Sequence, residues 1–326
     1  MKEKANIAIG IPTYNSADRV NELLISLKLF TDYPEDGYKI VCLDDGTPDK
    51  SKVNALKQVC AEFNAPLIEL PENKGIPYAW NRLTEYYDAE IVVLLNDDVR
   101  ICSSGWLSAG EYFLRNNEKI GTVGWPLIQV DPNTQTQLNS SREWGSEPGR
   151  VGSAVGTCFM FYKHNWEKVK NIDGTTGFCE ALGSFHEELL FNFKLYELSY
   201  SSWMLCNNPT EHWHSRTFSL NPELTWMKWS DKYFSKEDFL TVIDSSELYT
   251  PDWRQLLRNK INNEGLVDRM GYSRMLFWHM YGRMGSYDCP QIAVHDKFVT
   301  PHPYPDKLTW LDASGQPKEV SPEHRY

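Results

Sequence analysis

Three consecutive polar residues, Asn96-Asp97-Asp98, close an unbroken apolar run, Ile91-Val92-Val93-Leu94-Leu95. Such a run reads as a strand buried on both faces, and in an open α/β sheet the ligand crevice lies beyond the carboxyl ends of the strands. Two carboxylates delivered there suit a hard divalent cation that carries phosphate oxygens. An Asp-rich turn capping the next helix uses the same letters, so these residues alone leave both readings open. A second apolar run, Tyr38 to Leu43, ends in the same way on Asp44-Asp45-Gly46-Thr47. Two strand ends therefore bring carboxylates to what should be one edge of a sheet.

The elements that must position these residues follow a βα alternation. Asn6 to Ile11 is the first strand, and Ser16 is a candidate cap for a helix whose Val20, Leu23, Leu24 and Leu27 share one face. After the second strand, Asp49 can cap a helix with an apolar stripe of Val53, Leu56, Val59, Cys60 and Phe63. Leu67 to Leu70 is a short third strand, and Pro77 suits the first turn of a helix reaching about Tyr87. Ile91 to Leu95 follows as the fourth strand. Trp106 to Leu114 then reads as helix, Ile120 to Trp125 and Ala154 to Tyr162 as strands, and Glu187 to Leu198 as helix. Between them, Asp131 to Gly152 is rich in Asn, Thr, Ser, Gln and Gly and reads as a long loop, either an acceptor-side lid or a surface excursion. Beyond about Ser219 the alternation gives way to aromatic-rich segments such as Trp226-Met227-Lys228-Trp229 and Met275-Leu276-Phe277-Trp278, then a Pro/His tail at 300–305. The expected partition is a 1–218 α/β domain and a 219–326 helical extension, through which the chain could self-associate.

A chain of 326 residues can bury a full core and a second, smaller lobe. Its 33 Lys and Arg against 44 Asp and Glu leave a net charge of −11 without a basic tract, which argues against nucleic acid or anionic membrane as partners. The N-terminal residues lack a signal-peptide apolar core, and no segment has the apolar length to span a bilayer. Seven cysteines, an odd number without CxxC pairs, fit reduced thiols in a cytoplasmic protein better than disulfides or a zinc site.

Taken in order, four clusters resemble the family 2 glycosyltransferases of the GT-A fold. Ile11-Pro12-Thr13-Tyr14-Asn15 looks like that family's opening motif, and Asp44-Asp45-Gly46-Thr47 is similar to its second-strand nucleotide-binding motif. Asn73-Lys74-Gly75 with Ala79 and Asn81 resembles its Asn-x-Gly…Ala-x-Asn segment. Asn96-Asp97-Asp98 stands where the family carries Asp-x-Asp, with Asn replacing the first Asp. The resemblance covers roughly the first 215 residues. It extends to Glu187-Glu188, which resembles the Glu-Asp motif that supplies the catalytic base, with Glu188 at the position of the base and Glu187 as alternate. In isolation, acidic residues at a helix start are equally explained by the helix dipole. The last cluster is Glu211-His212-Trp213-His214-Ser215, where many members place a metal-site His; His214 is the first choice and His212 the alternate, both on one side of an extended segment.

The resemblance implies an α/β GT-A fold, Rossmann-like, with a mostly parallel sheet flanked by helices and a C-terminal helical extension. It implies an inverting, metal-dependent transfer of a sugar from a nucleotide-diphosphate sugar, a UDP-sugar, to a hydroxyl on a glycan or other acceptor. Asp98 would hold Mn²⁺ or Mg²⁺. Asp45, with Asp44 as alternate, would contact the base or ribose, and Pro12, Thr13, Tyr14 and Asn15 would wall the nucleoside. Asn73, Lys74, Gly75, Asn81, Asn96 and Asp97 complete the donor set, with Lys74 neutralising phosphate charge. Two other classes compete with this reading. A sugar nucleotidyltransferase would carry a Gly-rich, Arg- and Lys-bearing loop after the first strand, where Ile11-Pro12-Thr13-Tyr14-Asn15 stands instead. A catalytically inactive glycan- or nucleotide-binding protein would have no use for Asp98, Glu188 and His214 together. The 12 Trp and 17 Tyr could stack sugars, but at helical spacing Trp226, Trp229, Tyr233 and Phe234 fit packing better.

Overall fold

The computed structural model describes residues 2–34, 37–130, 137–139, 146–151, 156–182, 187–213, 244–245, 255, 258–259 and 307–321. The chain opens with β1 (Lys4–Thr13), α1 (Ala17–Phe30), β2 (Tyr38–Asp44), α2 (Lys50–Glu62), β3 (Leu67–Glu69), α3 (Ile76–Tyr86) and β4 (Asp88–Leu95). This is the expected alternation. It continues through β5 (Val99–Ile101), α4 (Trp106–Asn116), β6 (Ile120–Gly124), β7 (Leu127–Val130), β8 (Gln137–Asn139), β9 (Gly149–Val151) and β10 (Cys158–Tyr162). Then come α5 (Lys163–Lys168), α6 (Glu187–Glu197), β11 (Ser201–Met204), β12 (Thr210–Trp213) and, near the C-terminus, β13 (Thr309–Leu311) and β14 (Pro317–Glu319).

Eight strands form one sheet in the order β3-β2-β1-β4-β10-β6-β11-β9. Pairing is parallel from β3 through β4 and between β6 and β11, whereas β10 and β9 run against their neighbours. A second sheet, β5-β12-β7-β8, stands beyond the end of β4. The alternation of side chains along each strand divides the core into two layers. Ile7, Ile9, Ile11, Ile91, Val93 and Leu95 pack with Leu23 and Leu24 of α1, Leu56 of α2 and Phe113 of α4. Ala8, Val92, Leu94, Phe159 and Phe161 face the other way, against Trp80 and Leu83 of α3, Trp166 of α5 and Phe191 of α6. Burial on both faces is why Ile91 to Leu95 shows no alternation of polarity.

The helix starts follow two different routes. Asp49 caps α2 as its side chain accepts from the Ser51 N–H at 2.8 Å. Ser16 occupies the N-cap of α1 but makes no side-chain cap; its hydroxyl donates to the Tyr14 carbonyl at 2.7 Å instead, so the expectation of a serine cap is corrected. The stretch 131–152 is not loop throughout, because β8 pairs with β7 and β9 pairs with β11. Each is three residues long, too short for a period-two pattern to stand out, and open sheet edges recruit them through backbone hydrogen bonds. No described helix is long and apolar enough to cross a membrane.

Of the expected C-terminal extension, the aromatic segments at 226–234 and 275–278 and the tail at 300–305 lie outside the described residues. Residues 307–321 form an unexpected hairpin on α4. Leu308, Trp310 and Val320 enter the main core layer. Asn117, just past α4, reads the hairpin backbone in both directions: it donates to the Thr309 carbonyl at 2.8 Å and accepts from the Thr309 N–H at 2.7 Å. Ser321 then donates its N–H and hydroxyl to Glu147, each at 2.6 Å, which ties the chain end to the segment before β9. Leu308 is fully buried. Leu308→Ala should therefore cost roughly 2–5 kcal/mol of unfolding free energy. Urea denaturation measures it as a lower midpoint at unchanged slope, and a variant as stable as the parent would mean that the hairpin is only loosely attached.

Candidate active site

β1, β2 and β4 run parallel, so their carboxyl ends open on one edge. The order β3-β2-β1-β4 makes β1 the strand from which the chain winds both ways, the position of a ligand crevice in doubly wound sheets. Around it the strand ends are laced together. Asp44 accepts from the Thr47 N–H at 3.2 Å and from the Thr47 hydroxyl, and that hydroxyl accepts the Asn15 N–H at 2.9 Å. Asp45 accepts from the backbone N–H groups of Lys74 and Gly75 at 2.7 and 3.0 Å. Gly46 makes this approach possible. Its φ is +74°, and a Cβ there would lie 2.2 Å from the Glu72 carbonyl carbon. Burial pushes both carboxyls above the usual aspartate value, against the downward pull of these hydrogen bonds. Lys74 itself reaches out to Glu72 at the surface.

The turn after β4 separates its three polar residues. Asp97 points inward, accepting from the Thr13 hydroxyl at 2.6 Å with Arg19 Nη2 at 3.3 Å. Burial pushes its carboxyl up to about 6, against the pull of Arg19. Asp98 faces His212, whose Nε2 lies 3.4 Å from Oδ2. The Trp213 N–H donates to the Asp98 carbonyl at 2.9 Å, and β12 pairs His212 with Val99. Burial pulls Asp98 upward, but the neighbouring His212 and then Arg19 outweigh it and hold the carboxyl below the usual range. Among the described residues, Asp98 Oδ1, Asn96 Oδ1 and Asn15 Oδ1 are buried without a hydrogen-bond partner. Protein interiors rarely leave such atoms unsatisfied, and those that remain point to a ligand, ion or water. His214, the first choice for the metal-site His, lies outside the described residues. No group of three or more His, Cys, Asp and Glu among the described residues is arranged to hold a metal ion.

Asn81, part of the expected donor set, is engaged by the protein itself. Its amide donates to the Phe178 carbonyl at 2.8 Å and to Glu180 at 2.9 Å. Its carbonyl accepts from Trp166 Nε1 and the Phe178 N–H, both at 3.0 Å. Two donors and two lone pairs are the whole capacity of an asparagine side chain, so this one is spent fastening α3 to the 166–180 segment.

Glu187 and Glu188 open α6. Glu187 is 7% exposed, and its Oε2 has no hydrogen-bond partner among the described residues. Burial, then the neighbouring Glu188 charge, drive its carboxyl well above the usual glutamate value. Glu188 is half-buried. It lies against Gly156, where a Cβ would stand 3.2 Å from its Cδ and 3.0 Å from Trp80 Cη2. The next residue, Thr157, accepts the Asn96 N–H at 2.9 Å. The absence of a side chain at 156 thus lets Glu188 reach the same end of β4 that carries Asp98.

Sequence reasoning missed Arg19 and Trp80. Arg19 had a signal: an arginine on the apolar stripe of α1 must be buried, and a buried cation needs a partner. Trp80 had none, since its importance lies in a glycine 76 residues away.

The family model described as glycosyl transferase family 2 matches residues 8–174. A poly(ribitol-phosphate) beta-glucosyltransferase of Bacillus spizizenii is 33% identical over 120 residues, 36% of this chain and 18% of that protein. The match thus spans less than a fifth of that relative's length. The crystal structure of S. aureus TarS 1-349 superposes with a TM-score of 0.55 at 17% identity, covering 86% of this chain and 76% of that one. Its complex with UDP-GlcNAc gives 0.53 at 17% identity and the same coverage. These structures share the fold, the mixed α/β GT-A architecture.

The raised carboxyl of Glu187 makes a stability prediction. A group that keeps its proton in the native state where the unfolded chain has lost it makes stability fall as pH rises above the ordinary glutamate value of 4.5. Glu187→Gln should remove that slope, gaining on the parent toward neutral pH and showing no gain in acid. Thermal denaturation from about pH 4 to about pH 8 measures it, and identical profiles would mean that the Glu187 carboxyl is not raised.

Proposed function

The chain belongs to glycosyl transferase family 2, and we propose that it transfers a sugar from a UDP-sugar to an acceptor hydroxyl with inversion at the anomeric carbon. The observation that carries this reading is the convergence of Asp45 with the 73–75 loop, Asp98 with His212, and Glu188 on one sheet edge. The complex of a fold neighbour with UDP-GlcNAc supports the choice of nucleotide.

The 13–15 turn and the loop held by Asp45 would line the nucleoside. Asp45's oxygens already take two backbone N–H groups, so its role is to hold that loop and to offer the nucleotide its remaining lone pairs. The buried, unsatisfied Asp98 Oδ1 and the nearby His212 imidazole would hold a divalent cation, Mn²⁺ or Mg²⁺, that arrives with the diphosphate. When bound, such an ion stabilises the negative charge that builds on the departing diphosphate. Asp97, turned toward Arg19, would not be among the residues that hold the ion.

Glu188 is the base and Glu187 is not, because Glu188 is the accessible one of the pair. Its carboxylate takes the proton of the acceptor hydroxyl while that oxygen attacks the anomeric carbon from the face opposite the diphosphate. The bond to the leaving oxygen breaks in the same step, UDP departs with the electron pair, and no glycosyl-enzyme intermediate forms. Residues 1–218 make up the catalytic domain in this reading. The six described cysteines carry free thiols, which supports placing the enzyme in the cytoplasm. Residues 219–326, as the notional oligomer contact, lie mostly outside the described residues.

Calorimetric titration with UDP, with and without Mn²⁺, tests the donor reading; affinity equal in Mn²⁺ and in excess chelator would remove the metal from it. Asp98→Asn should keep the fold and lose the Mn²⁺-linked part of UDP binding. Glu188→Gln should bind UDP as the parent does, yet release it from the UDP-sugar about 10²–10⁴-fold more slowly, the usual worth of a positioned base. Full activity in that variant would move the base elsewhere.

A further inference from the structure

Arg19 is 1% exposed, among the largest fully buried side chains of the protein. Its Nη2 lies 3.3 Å from Asp97 Oδ2 and donates to the Tyr14 carbonyl at 3.4 Å. One turn further along α1, Glu22 pairs with Arg100. Arg100 Nη1 in turn donates to the carbonyls of Val99 at 2.7 Å and Asp97 at 3.3 Å. The helix therefore grips the turn after β4 at two points, with a cation and an anion one helical turn apart meeting an anion and a cation three residues apart.

We propose that Arg19 is a positioning residue of the donor site, holding the Tyr14 turn against the Asn96–Asp98 turn so that Asp97 faces inward and Asp98 faces the ligand. This rests on the donor reading above. Asp97 Oδ2 also takes the Thr13 hydroxyl at 2.6 Å, so one oxygen joins the end of β1, the helix after it and the end of β4. A planar guanidinium with several donors at fixed angles can serve a carboxylate and a carbonyl together. The rival account is an ion pair that merely balances a buried charge. The two differ in what happens when both charges are removed. Taking away one partner strands the other and destabilises the fold, whereas taking away both relieves that penalty. Charge balance returns in the double variant, but the grip on the Tyr14 carbonyl does not.

The experiment compares Arg19→Met, Asp97→Asn, the double variant and the parent, reading thermal stability and the calorimetric affinity for UDP with Mn²⁺. The double variant should recover stability relative to the single ones and still bind UDP roughly 10- to 100-fold more weakly than the parent, the usual cost of losing a group that orients a ligand-binding residue. Parental affinity in the double variant overturns the proposal while leaving the donor reading intact. Arg19→Lys keeps the buried charge and guards against a fold failure of the others; it too should bind UDP more weakly, and parental affinity in it overturns the proposal. Absence of UDP binding in the parent overturns the donor reading and this inference with it.

Discussion

Four aspartates, Asp44, Asp45, Asp97 and Asp98, lie buried at one edge of one sheet, each less than a tenth exposed. Parallel pairing of β1, β2 and β4 makes that concentration unavoidable, because it brings every strand end to the same side. Buried carboxylates are tolerated only when hydrogen bonds or cations compensate them. Each of the four has a different compensator. Asp44 has Thr47, Asp45 has two backbone N–H groups, Asp97 has Thr13 and Arg19, and Asp98 has His212. Much of the surrounding architecture follows from those four arrangements. The tight turn at Gly46, the arginine on an apolar helix face and the placement of β12 beside β5 all deliver a compensator to its carboxylate.

That pattern decides what was legible in the sequence. Strands buried on both faces announce themselves as continuous apolar runs, so β1, β2 and β4 were readable, the last two with their acidic ends, and with them the fold. Asp49 was readable as a cap because its effect is local, reaching only to Ser51. The compensators were harder, since each lies far along the chain from its carboxylate: Arg19 is 78 residues from Asp97, and His212 is 114 from Asp98. The partners of Asn81 were equally out of reach. Its place in a motif suggested a ligand contact, but the four hydrogen bonds that consume it come from Trp166, Phe178 and Glu180, which no local pattern connects to α3. The C-terminal hairpin was illegible for a related reason. Its three-residue strands carry too little alternation to register, and their apolar residues find a core built two hundred positions earlier.

His212 illustrates how a parity argument falls short of an assignment. In an extended segment His212 and His214 would point to the same side. Meeting Asp98 depends on register, and the pairing of β12 with β5 sets His212 opposite Val99, one residue past Asp98. Register of this kind is fixed between strands distant in sequence.

Replacement of the first motif aspartate by Asn96 takes on a meaning once Asp97 is seen to face Arg19. In the proposed donor mode a diphosphate, itself anionic, must approach a protein of net charge −11 at an edge crowded with carboxylates. With Asn96 neutral, Asp97 turned inward on a guanidinium and Asp45 covered by two N–H groups, the charge left facing the diphosphate at the end of β4 is that of Asp98. One negative group turned to the ligand is enough to attract a divalent cation and too little to repel a diphosphate that arrives with it. On this view the acidity of the edge is mostly internal, bound up in holding the loops together. The small remainder is what the ligand meets.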